Sequence, residues 1–307
     1  MQKYGFTAKG KQRFKCLECN ISEVRTRIEI TESAWMDRYI KYLTTNTQLT
    51  QLAGDLHLSL NTIQRKFKQC RDTLPEALSG FCSSGDFLVL DATSVLSRKL
   101  VVLIARTRAG VVAYRFATTE NHESWLVLLS SIKGTPKAIV CDGQKGMQTA
   151  IIKRFGTLPI QRCIVHIVRQ SKAKLTRNPQ TLAGKELRVL VCALTSVRTQ
   201  PDADLWTSAF QEWRVKHHQF LKERSSSTAN SKRGWYTHRT LRGVRSLLLN
   251  SSKHMFTYLT HPDIPRDTNL LEGGINSPLK ALFKNHRGMS LQTKITLTAW
   301  YLTKRKG

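Results

Sequence analysis

Two short apolar runs, each closed by an aspartate, constrain the fold of this chain most strongly. The first is Phe87-Leu88-Val89-Leu90 before Asp91, and the second is Ala138-Ile139-Val140-Cys141 before Asp142. Continuous apolar runs of this length are typical of strands that a sheet buries on both faces. Because the carboxyl ends of neighbouring parallel strands meet at one edge, we expect the two carboxylates to lie side by side.

Strand and helix patterns alternate around these two runs. Further strands are predicted at residues 100–106 and 111–117, and helices at residues 122–132 and 146–155. Residues 158–166 then predict a strand that runs into another helix. The order β-β-β-α-β-α-β-α indicates a mixed α/β sheet that carries an aspartate at the end of its first and fourth strands.

A third acid, Glu272, follows far downstream. Asn269 is expected to cap a helix that places Glu272 in its first turn and Asn276 one turn later on the same face. The opposite face is apolar and is expected to be buried, with Leu271, Ile275, Leu279 and Leu282. Asp267 is the rival third acid, but a helix positions a ligand better than the segment before it does.

Neighbouring carboxylates repel each other, so a shared proton or a cation must compensate them. Two divalent ions about 3.5 to 4 Å apart would do so and would clamp the oxygens of a phosphodiester. Pro278 falls within the expected Glu272 helix, where a proline predicts a kink or a shortened helix. Gly273 and Gly274 loosen the same turn.

The N-terminal residues form a basic hairpin pattern with Gly10 at its turn, and the pattern ends in the C-x-x-C pair Cys16 and Cys19. This is half of a zinc ribbon, because structural zinc needs four ligands. Three interpretations stay open: a start assigned downstream of the true one, an eroded finger, or two unrelated thiols. Zinc at Cys16 and Cys19 is therefore an open alternative.

Residues 32–73 have a helical period, and residues 50–67 within them resemble a helix-turn-helix. Ser59 is expected to cap the second helix, on which Ile63 and Phe67 face inward. An ordinary helical hairpin is the alternative interpretation. The residues expected to face outward and contact DNA are Thr62, Gln64, Arg65 and Lys68.

The charge of the chain points to a polyanionic partner. Lys and Arg total 49 against 21 Asp and Glu, a formal net charge of +28, and residues 171–307 hold 24 basic and 8 acidic side chains. Nucleic acid is the expected partner, with a ribosome-like or membrane-surface protein as the alternative. Seven cysteines, no long apolar run and no signal peptide predict a cytoplasmic protein without a disulfide framework or a membrane partner.

Residues from about 171 to 265 are predicted to form a helical insertion with 16 basic and 6 acidic side chains. Within it, residues 224–233 are polar and basic, so we expect a mobile loop. The expected DNA contacts of this loop are Arg224, Lys232 and Arg233.

Four motifs together resemble the Mutator-like bacterial insertion-sequence transposases over roughly residues 86–300. They are Leu90-Asp91-Ala92-Thr93, Cys141-Asp142-Gly143-Gln144-Lys145-Gly146, Cys163-Ile164-Val165-His166, and Asn269-Leu270-Leu271-Glu272-Gly273-Gly274-Ile275-Asn276 followed by His286-Arg287-Gly288. The resemblance implies a ribonuclease H-like mixed sheet core with a large all-helical insertion. A small helix-turn-helix region and a partial zinc-ribbon-like segment precede that core.

The resemblance also implies a DDE nuclease and strand-transfer enzyme that acts on terminal inverted repeats. By matching position, Asp91, Asp142 and Glu272 would hold two Mg²⁺ or Mn²⁺ ions, Cys163 and His166 would lie near the site, and Arg287 would contact DNA. From the residues alone, Cys163 and His166 lack two further zinc ligands, and His166 suits a structural or a DNA-contacting role equally.

We expect five segments: a partial ribbon at residues 1–25, a helix-turn-helix region at 30–80, the first part of the catalytic core at 86–170, the insertion at 171–265 and C-terminal core helices at 266–307. The partners would be double-stranded DNA, as element ends and target, and further copies in a homodimer or larger oligomer at the nucleoid. Two alternatives stay open: a sequence-specific DNA-binding protein that is an inactive transposase relative, and a ribonuclease H-like nuclease or resolvase.

Overall fold

The computed structural model of the chain describes residues 2–8, 10, 12–24, 31–45, 47–96, 99–225 and 234–306. They divide into two compact units, Met1–Thr73 and Leu74–Gly307. Within these ranges no helix combines the length and the apolar character that crossing a bilayer requires. Lys232 and Arg233, with the greater part of the expected mobile loop, lie outside the described residues.

The first unit begins with a small antiparallel sheet. Its strands lie in the order β1-β2-β3, namely Gln2–Phe6, Gln12–Lys15 and Ser22–Val24. The turn between β1 and β2 contains Gly10, whose N–H donates to the Thr7 carbonyl. The hairpin expected from the sequence is therefore present, and β3 adds a third strand to it.

Three helices complete the first unit: α1 (Glu32–Thr44), α2 (Leu49–Asp55) and α3 (Leu60–Asp72). Ser59 caps α3 as predicted, because its Oγ accepts from the Thr62 N–H at 3.2 Å. Ile63 and Phe67 are buried, and the Phe67 ring lies 4.9 Å from that of Tyr39 on α1. The apolar face of α3 therefore packs into a core, as its spacing of four residues predicted.

The second unit is built on a five-stranded mixed sheet. Its strands are β5 (Phe87–Leu96), β6 (Leu100–Arg106), β7 (Val111–Ala117), β9 (Ala138–Cys141) and β10 (Ile160–Arg162). They lie in the order β10-β9-β5-β6-β7, in which β5, β9 and β10 are parallel and β6 and β7 are antiparallel to their neighbours. This arrangement confirms the prediction of a mixed α/β sheet.

One two-stranded ladder was not predicted from the sequence. It pairs β4 (Phe81–Cys82) with β8 (Lys133–Gly134) in parallel. Each strand has only two residues, which is too short for an alternating pattern to reveal.

The prediction that the first strand ends at Asp91 was wrong. The strand β5 continues to Leu96, and Asp91 pairs with Ile104 of β6 within it. The parallel pairing with β9 covers only Phe87–Val89, so the sheet changes partner rather than ending at this point. An apolar run shows only which part of a strand is covered on both faces. Antiparallel pairing can extend the strand beyond that covered part.

Alternation along β5 sends its side chains to two separate cores. Leu88 and Leu90 pack with Trp125 and Met147, which lie on α4 (His122–Ser130) and α5 (Lys145–Phe155). Phe87 and Val89 pack on the opposite face, together with C-terminal residues such as Leu271. Helices therefore cover both faces of the sheet.

The described residues from 171 to 265 are mainly helical, as predicted, and the first helix begins earlier, at Ile164. Its helices are α6 (Ile164–Leu175), α7 (Leu182–Ala193), α8 (Gln200–Lys216), α9 (Arg239–Ser251) and α10 (Thr257–Thr260), with short 3-10 turns at Leu194–Ser196 and Phe220–Lys222. The segment has its own core, in which the rings of Trp206, Phe210 and Trp213 stack in sequence.

The C-terminal segment consists of α11 (Asn269–Leu271), a π-helical turn over Glu272–Asn276, α12 (Ser277–Asn285) and α13 (Leu291–Thr303). The cap residue of α11 is Thr268 and not Asn269 as expected, because the Thr268 carbonyl accepts from Leu271 and Glu272. Asp267 accepts instead from the Asn269 N–H at 3.0 Å.

Pro278 does not kink a helix interior. It lies in the first turn of α12, where its missing N–H is not needed. The π-helical turn ends immediately before that point, with the Ser277 N–H donating to the Glu272 carbonyl five residues earlier. The predicted break is thus absorbed by a local change of helix type, of the kind often found at functional sites.

Candidate active site

Asp91 lies within β5, and Asp142 directly follows the last residue of the neighbouring parallel strand β9. The last pair of their parallel ladder, Val89 with Val140, lies two residues before each aspartate. The charge of Asp142 contributes to the raised pKa of Asp91, so the two carboxyl groups lie within electrostatic reach of each other. The strand β5 itself runs on past Asp91.

Glu272 approaches the same face from the π-helical turn. The turn is anchored by its own Ile275 and by the preceding Leu271 of α11, which are fully buried in the core against β5 and β9. Its opposite side presents Glu272 and Asn276, as the spacing of four residues predicted. The Asn276 Nδ2 donates to the Asp91 Oδ2 at 2.8 Å, which joins the turn directly to β5.

Burial and neighbouring acids raise the pKa of Asp91 to about 7. Burial is the main cause, since Asp91 is only 5% exposed, and Asp142, Glu272 and Glu120 add repulsion. The Ala92 N–H opposes the rise. Asp91 is therefore the centre of an acidic cluster in which Asp142, Glu272 and Glu120 lie within electrostatic reach of it.

Glu272 is held by two residues of α6. Its Oε1 lies 2.9 Å from the His166 Nε2, and Arg169 donates to both of its oxygens at 3.2 and 3.4 Å. Burial lowers the pKa of His166, although Glu272 opposes that shift. A neutral imidazole with its hydrogen on Nε2 donates to Glu272 and leaves Nδ1 to accept a hydrogen bond.

Cys163 and His166 are joined through Thr268. The Thr268 Oγ1 lies 3.4 Å from the Cys163 Sγ and 3.4 Å from the His166 Nδ1, and the Thr268 N–H also donates to the sulfur. Burial raises the pKa of Cys163, so it stays a thiol. The pair therefore orients the segment that carries Glu272. No sequence pattern pointed to Thr268 as the residue that links them.

Asp142 is fixed by the loop that follows it. Its Oδ1 accepts from the Gln144 N–H at 2.8 Å, and its carbonyl accepts from Arg162 at 3.0 Å. Gly143 between them has φ +80°, and a Cβ there would overlap the Arg162 guanidinium. Only glycine allows this close approach, which explains the Asp-Gly pair of the motif.

Glu120 is an acid of this cluster that the sequence did not reveal. Burial and the neighbouring Asp142 raise its pKa, and Trp125 donates to its carboxylate at 3.3 Å. Its carbonyl accepts from the Gln144 side chain. The only sequence signal was its place directly before the helix cap Asn121. The rival Asp267 serves as a local cap and does not contribute to the pKa of Asp91.

The carboxylates around Asp91 have the donor chemistry that divalent cations prefer. In this structure they are not arranged as a preformed metal site. A buried carboxyl group such as Asp91, whose pKa neighbouring acids raise, suits a hard cation with oxygen ligands. The buried Asn276 Oδ1, next to Asp91, has no hydrogen-bond partner in the described ranges. Across those same ranges, however, no group of three or more His, Cys, Asp or Glu side chains is arranged to hold a metal ion. Glu272 is engaged by His166 and Arg169 instead.

The remaining predicted residues were proposed to contact DNA. Gln64, Arg65 and Lys68 are exposed on α3, where Thr62 bonds to Ser59. Arg287 is exposed after α12. Arg224 donates to the Gly234 carbonyl and lies 4.0 Å from the ring of Tyr236.

Cys16 and Cys19 lie in the turn after β2, as a zinc knuckle requires. Backbone N–H groups of Cys19 and Glu18 lower the pKa of Cys16, which favours a metal-binding thiolate. Two ligands do not complete a tetrahedral site, and the described residues supply no others.

The fold and the cluster define an α/β protein with an acidic site on its central sheet. Residues 87–232 match the transposases of the Mutator family. This range includes Asp91, Asp142, Cys163 and His166, and it ends before Glu272.

Two curated relatives agree with that match. One is the transposase for insertion sequence element IS1201 of Lactobacillus helveticus, 38% identical over 69 residues, which cover 21% of this chain and 19% of the relative. The other is the transposase for insertion sequence element IS905 of Lactococcus lactis subsp. lactis strain IL1403, 26% identical over 113 residues, which cover 34% of this chain and 29% of the relative. The resemblance to Mutator-like insertion-sequence transposases is confirmed, although the matches span less than a third of either relative.

Proposed function

We propose that this chain is a DDE transposase of an insertion element, with a ribonuclease H-like core. In this proposal Asp91, Asp142 and Glu272 hold two Mg²⁺ or Mn²⁺ ions at the ends of the element. The observation that carries the proposal is the raised pKa of the buried Asp91, to which the charges of Asp142 and Glu272 both contribute. The sheet order β10-β9-β5-β6-β7 and the family match support it.

The reaction would proceed in two phosphoryl transfers. In the first, a water oxygen bonds to the phosphorus at the element end, and the bond to the 3′ oxygen breaks and yields a free 3′-hydroxyl. In the second, that hydroxyl bonds to a phosphorus of target DNA and releases the 3′ oxygen of the target strand. When bound, the divalent ions would neutralise the charge that develops on these oxygens. Neither transfer requires a nucleophilic side chain.

The residues of the chain would orient the acids and bind the strands. Asn276 keeps one oxygen of Asp91 in place, and the Gln144 N–H does the same for Asp142. His166 and Arg169 position Glu272, whose release from Arg169 would free it for a cation. Arg169 is 59% exposed along its side chain, so it is free to move toward solvent or a DNA phosphate.

Two basic regions would bind DNA. The exposed face of α3, with Gln64, Arg65 and Lys68, has the composition expected of a recognition helix. In the insertion, Trp235 is 60% exposed and the Arg239 guanidinium lies 5.1 Å from its ring. Such a pair can contact a phosphate and stack on a base. Both regions predict binding that weakens steeply with salt. The proposed oligomer would bring two element ends together.

Replacement of Asp91 with Asn, or of Glu272 with Gln, tests the proposal. The substrate is DNA that carries the terminal repeats of the insertion element encoding this chain, supplied with Mg²⁺ and a target plasmid. We expect cleavage and strand transfer to fall at least 1000-fold, because each change removes a charged ligand. Gel-shift affinity should change less than threefold. The matched control is Asp263→Asn, which alters an acid that is 79% exposed along its side chain.

The products of the assay separate the alternatives. Tight repeat-specific binding without nicking by the wild-type protein would overturn the proposal in favour of a DNA-binding relative without catalysis. Cleavage of branched DNA without strand transfer would favour a resolvase. Full activity in the Asp91→Asn variant would remove Asp91 from the site.

A further inference from the structure

A cavity of about 580 Å³ opens beside Asp142 and is not used by the proposed chemistry. Its volume lies in the range of sites that hold small molecules. Residues of α5, α6 and α9 line it. Those that bear on the argument are Asp142, Gln148, Arg162, Gln170, Leu247 and Asn250.

Three carboxamides from three different helices meet at this cavity: Gln148 of α5, Gln170 of α6 and Asn250 of α9. Their side-chain amides make no hydrogen bond within the described residues; Gln148 is partly buried, and Gln170 and Asn250 are exposed. Each amide offers hydrogen-bond donors and acceptors together. The cavity is therefore prepared for a ligand that also presents both kinds of group.

The base of the cavity contains a buried cation. Arg162 is 6% exposed and donates to the Ser251 Oγ at 2.7 Å and to the Asp142 carbonyl at 3.0 Å. Its Nε has no partner in the described ranges. Because both Nη atoms bond within the protein and the buried Nε lies against Gly143, the guanidinium contributes positive charge to the cavity wall but no fork for a phosphate.

These features fit a nucleobase better than a phosphate. Carboxamides pair with the edges of bases, and an apolar side chain such as Leu247 can stack on a base. A phosphate pocket would instead converge several free Lys and Arg side chains, whereas here Arg162 bonds within the protein and Lys145 is exposed.

We propose that the cavity binds one nucleobase that has been extruded from the duplex beside the scissile phosphate. This inference rests on the proposed function, because Asp142 lines the cavity and belongs to the acidic cluster. A base held there would keep its own sugar and phosphate close to the acids. Extrusion breaks pairing and stacking, and that penalty is smallest for a base that is already unpaired. The cavity would hold the strand at a fixed position for cleavage.

The test compares three duplexes of identical length and arbitrary sequence. The first is fully paired, the second carries 2-aminopurine opposite an abasic site, and the third carries an abasic site on both strands at the same position. Binding is measured with the full chain in EDTA, so that no cleavage takes place. We expect the 2-aminopurine duplex to bind at least tenfold more tightly than the other two, with a change in 2-aminopurine fluorescence.

The variant Gln148→Ala/Gln170→Ala/Asn250→Ala should lose this preference and keep its affinity for the paired duplex within twofold. Gln219→Ala is the matched control, because Gln219 is an exposed carboxamide of the insertion that does not line the cavity. Thermal unfolding of both variants checks that they fold.

Equal binding of all three duplexes, or a preference that survives in the triple variant, would overturn the inference and leave the proposed function intact. Equal binding of the second and third duplexes alone would overturn it too, since the site would then recognise backbone or flexibility. Failure to bind any duplex would count against the proposed function and this inference together.

Discussion

The Asn276 amide donates a hydrogen bond of 2.8 Å to Asp91 across a sequence separation of 185 residues. This bond links the π-helical turn to the central strand of the sheet. A primary amide can donate at that nitrogen to a carboxylate or to a carboxyl carbonyl oxygen, so it tolerates both protonation states of Asp91. The bond therefore orients Asp91 without fixing its charge.

The raised pKa of Asp91 predicts a pH-dependent stability. The folded chain binds this proton more tightly than the unfolded chain, because the pKa is about 7 when folded and 3.8 in the unfolded reference. The protonated Asp91 therefore stabilises the fold fully below about pH 4. This stabilisation, on the order of 4 kcal/mol, is lost as the pH rises from about 4 to about 7. In EDTA, Asp91→Asn should therefore melt at a higher temperature than the wild type at pH 8, and with little difference at pH 4.

Divalent cations should change the difference in melting temperature between the wild type and Asp91→Asn. At pH 8, Mg²⁺ should raise the melting temperature of the wild type and leave that of Asp91→Asn nearly unchanged, as measured by calorimetry. The variant Asp263→Asn should behave as the wild type. Parallel pH profiles for the wild type and Asp91→Asn would contradict the assignment of this pKa.

Substitutions of Arg169 and His166, the two residues that hold Glu272, should change the Mg²⁺ requirement of DNA cleavage in opposite directions. Without Arg169, the carboxylate loses a competing cation, so Arg169→Ala should lower the Mg²⁺ concentration needed for half-maximal cleavage by about threefold to tenfold. Without His166, Glu272 loses its orientation, so His166→Ala should raise that concentration and reduce the rate at saturating Mg²⁺ by about 100-fold. Mg²⁺ titrations of DNA cleavage measure both quantities.

The control for this pair is Arg188→Ala, which removes an arginine that bonds to the Thr176 carbonyl on the insertion. Identical shifts in the Mg²⁺ requirement for the Arg169 and His166 variants would show that neither acts through Glu272.

Glu120 should contribute to the cluster in a weaker way than the three predicted acids. Glu120→Gln removes one source of repulsion, so the pKa of Asp91 should fall. When the pH is lowered from 8 to 6, the cleavage rate should then drop less in this variant than in the wild type. At pH 8 we expect a cleavage rate within tenfold of the wild type. The comparison is with Glu123→Gln, an exposed acid one turn further on. A loss as large as that of Asp91→Asn would instead make Glu120 a metal ligand.

The two glycines of the π-helical turn offer a matched pair of substitutions. A Cβ on Gly273 meets open space, whereas a Cβ on Gly274 lies 3.2 Å from the Arg106 Nη1. That nitrogen donates to the Leu270 carbonyl at 2.8 Å. Gly273→Ala should stabilise the fold by about 0.5 to 1 kcal/mol through reduced entropy of the unfolded chain.

Gly274→Ala should lose that gain by disturbing Arg106, so the two variants should differ by about 1 kcal/mol in denaturant melts. Equal stabilisation by both would show that the Arg106 contact is not constraining.

Local patterns predicted the elements of this fold well where they were long and amphipathic. The apolar runs before Asp91 and Asp142 gave two neighbouring parallel strands, and the spacing of Ile63 and Phe67 gave the buried face of α3. Local patterns failed where pairing between strands sets the end of a strand. The strand β5 is an example, because its pairing with β6 continues past Asp91. The end of a strand depends on its partner, and a single segment does not carry that information.

The candidate site divides in the same way. Local patterns were enough to single out Asp91, Asp142 and Glu272 as candidate acids, because strand alternation and helical spacing depend on nearby residues alone. Three other features became visible only in the folded chain: the place of Glu120 near Asp142, the link of Thr268 between Cys163 and His166, and the π-helical turn before Pro278. Each of these depends on contacts between segments far apart in the chain, whose energies exist only once the sheet and its covering helices are packed.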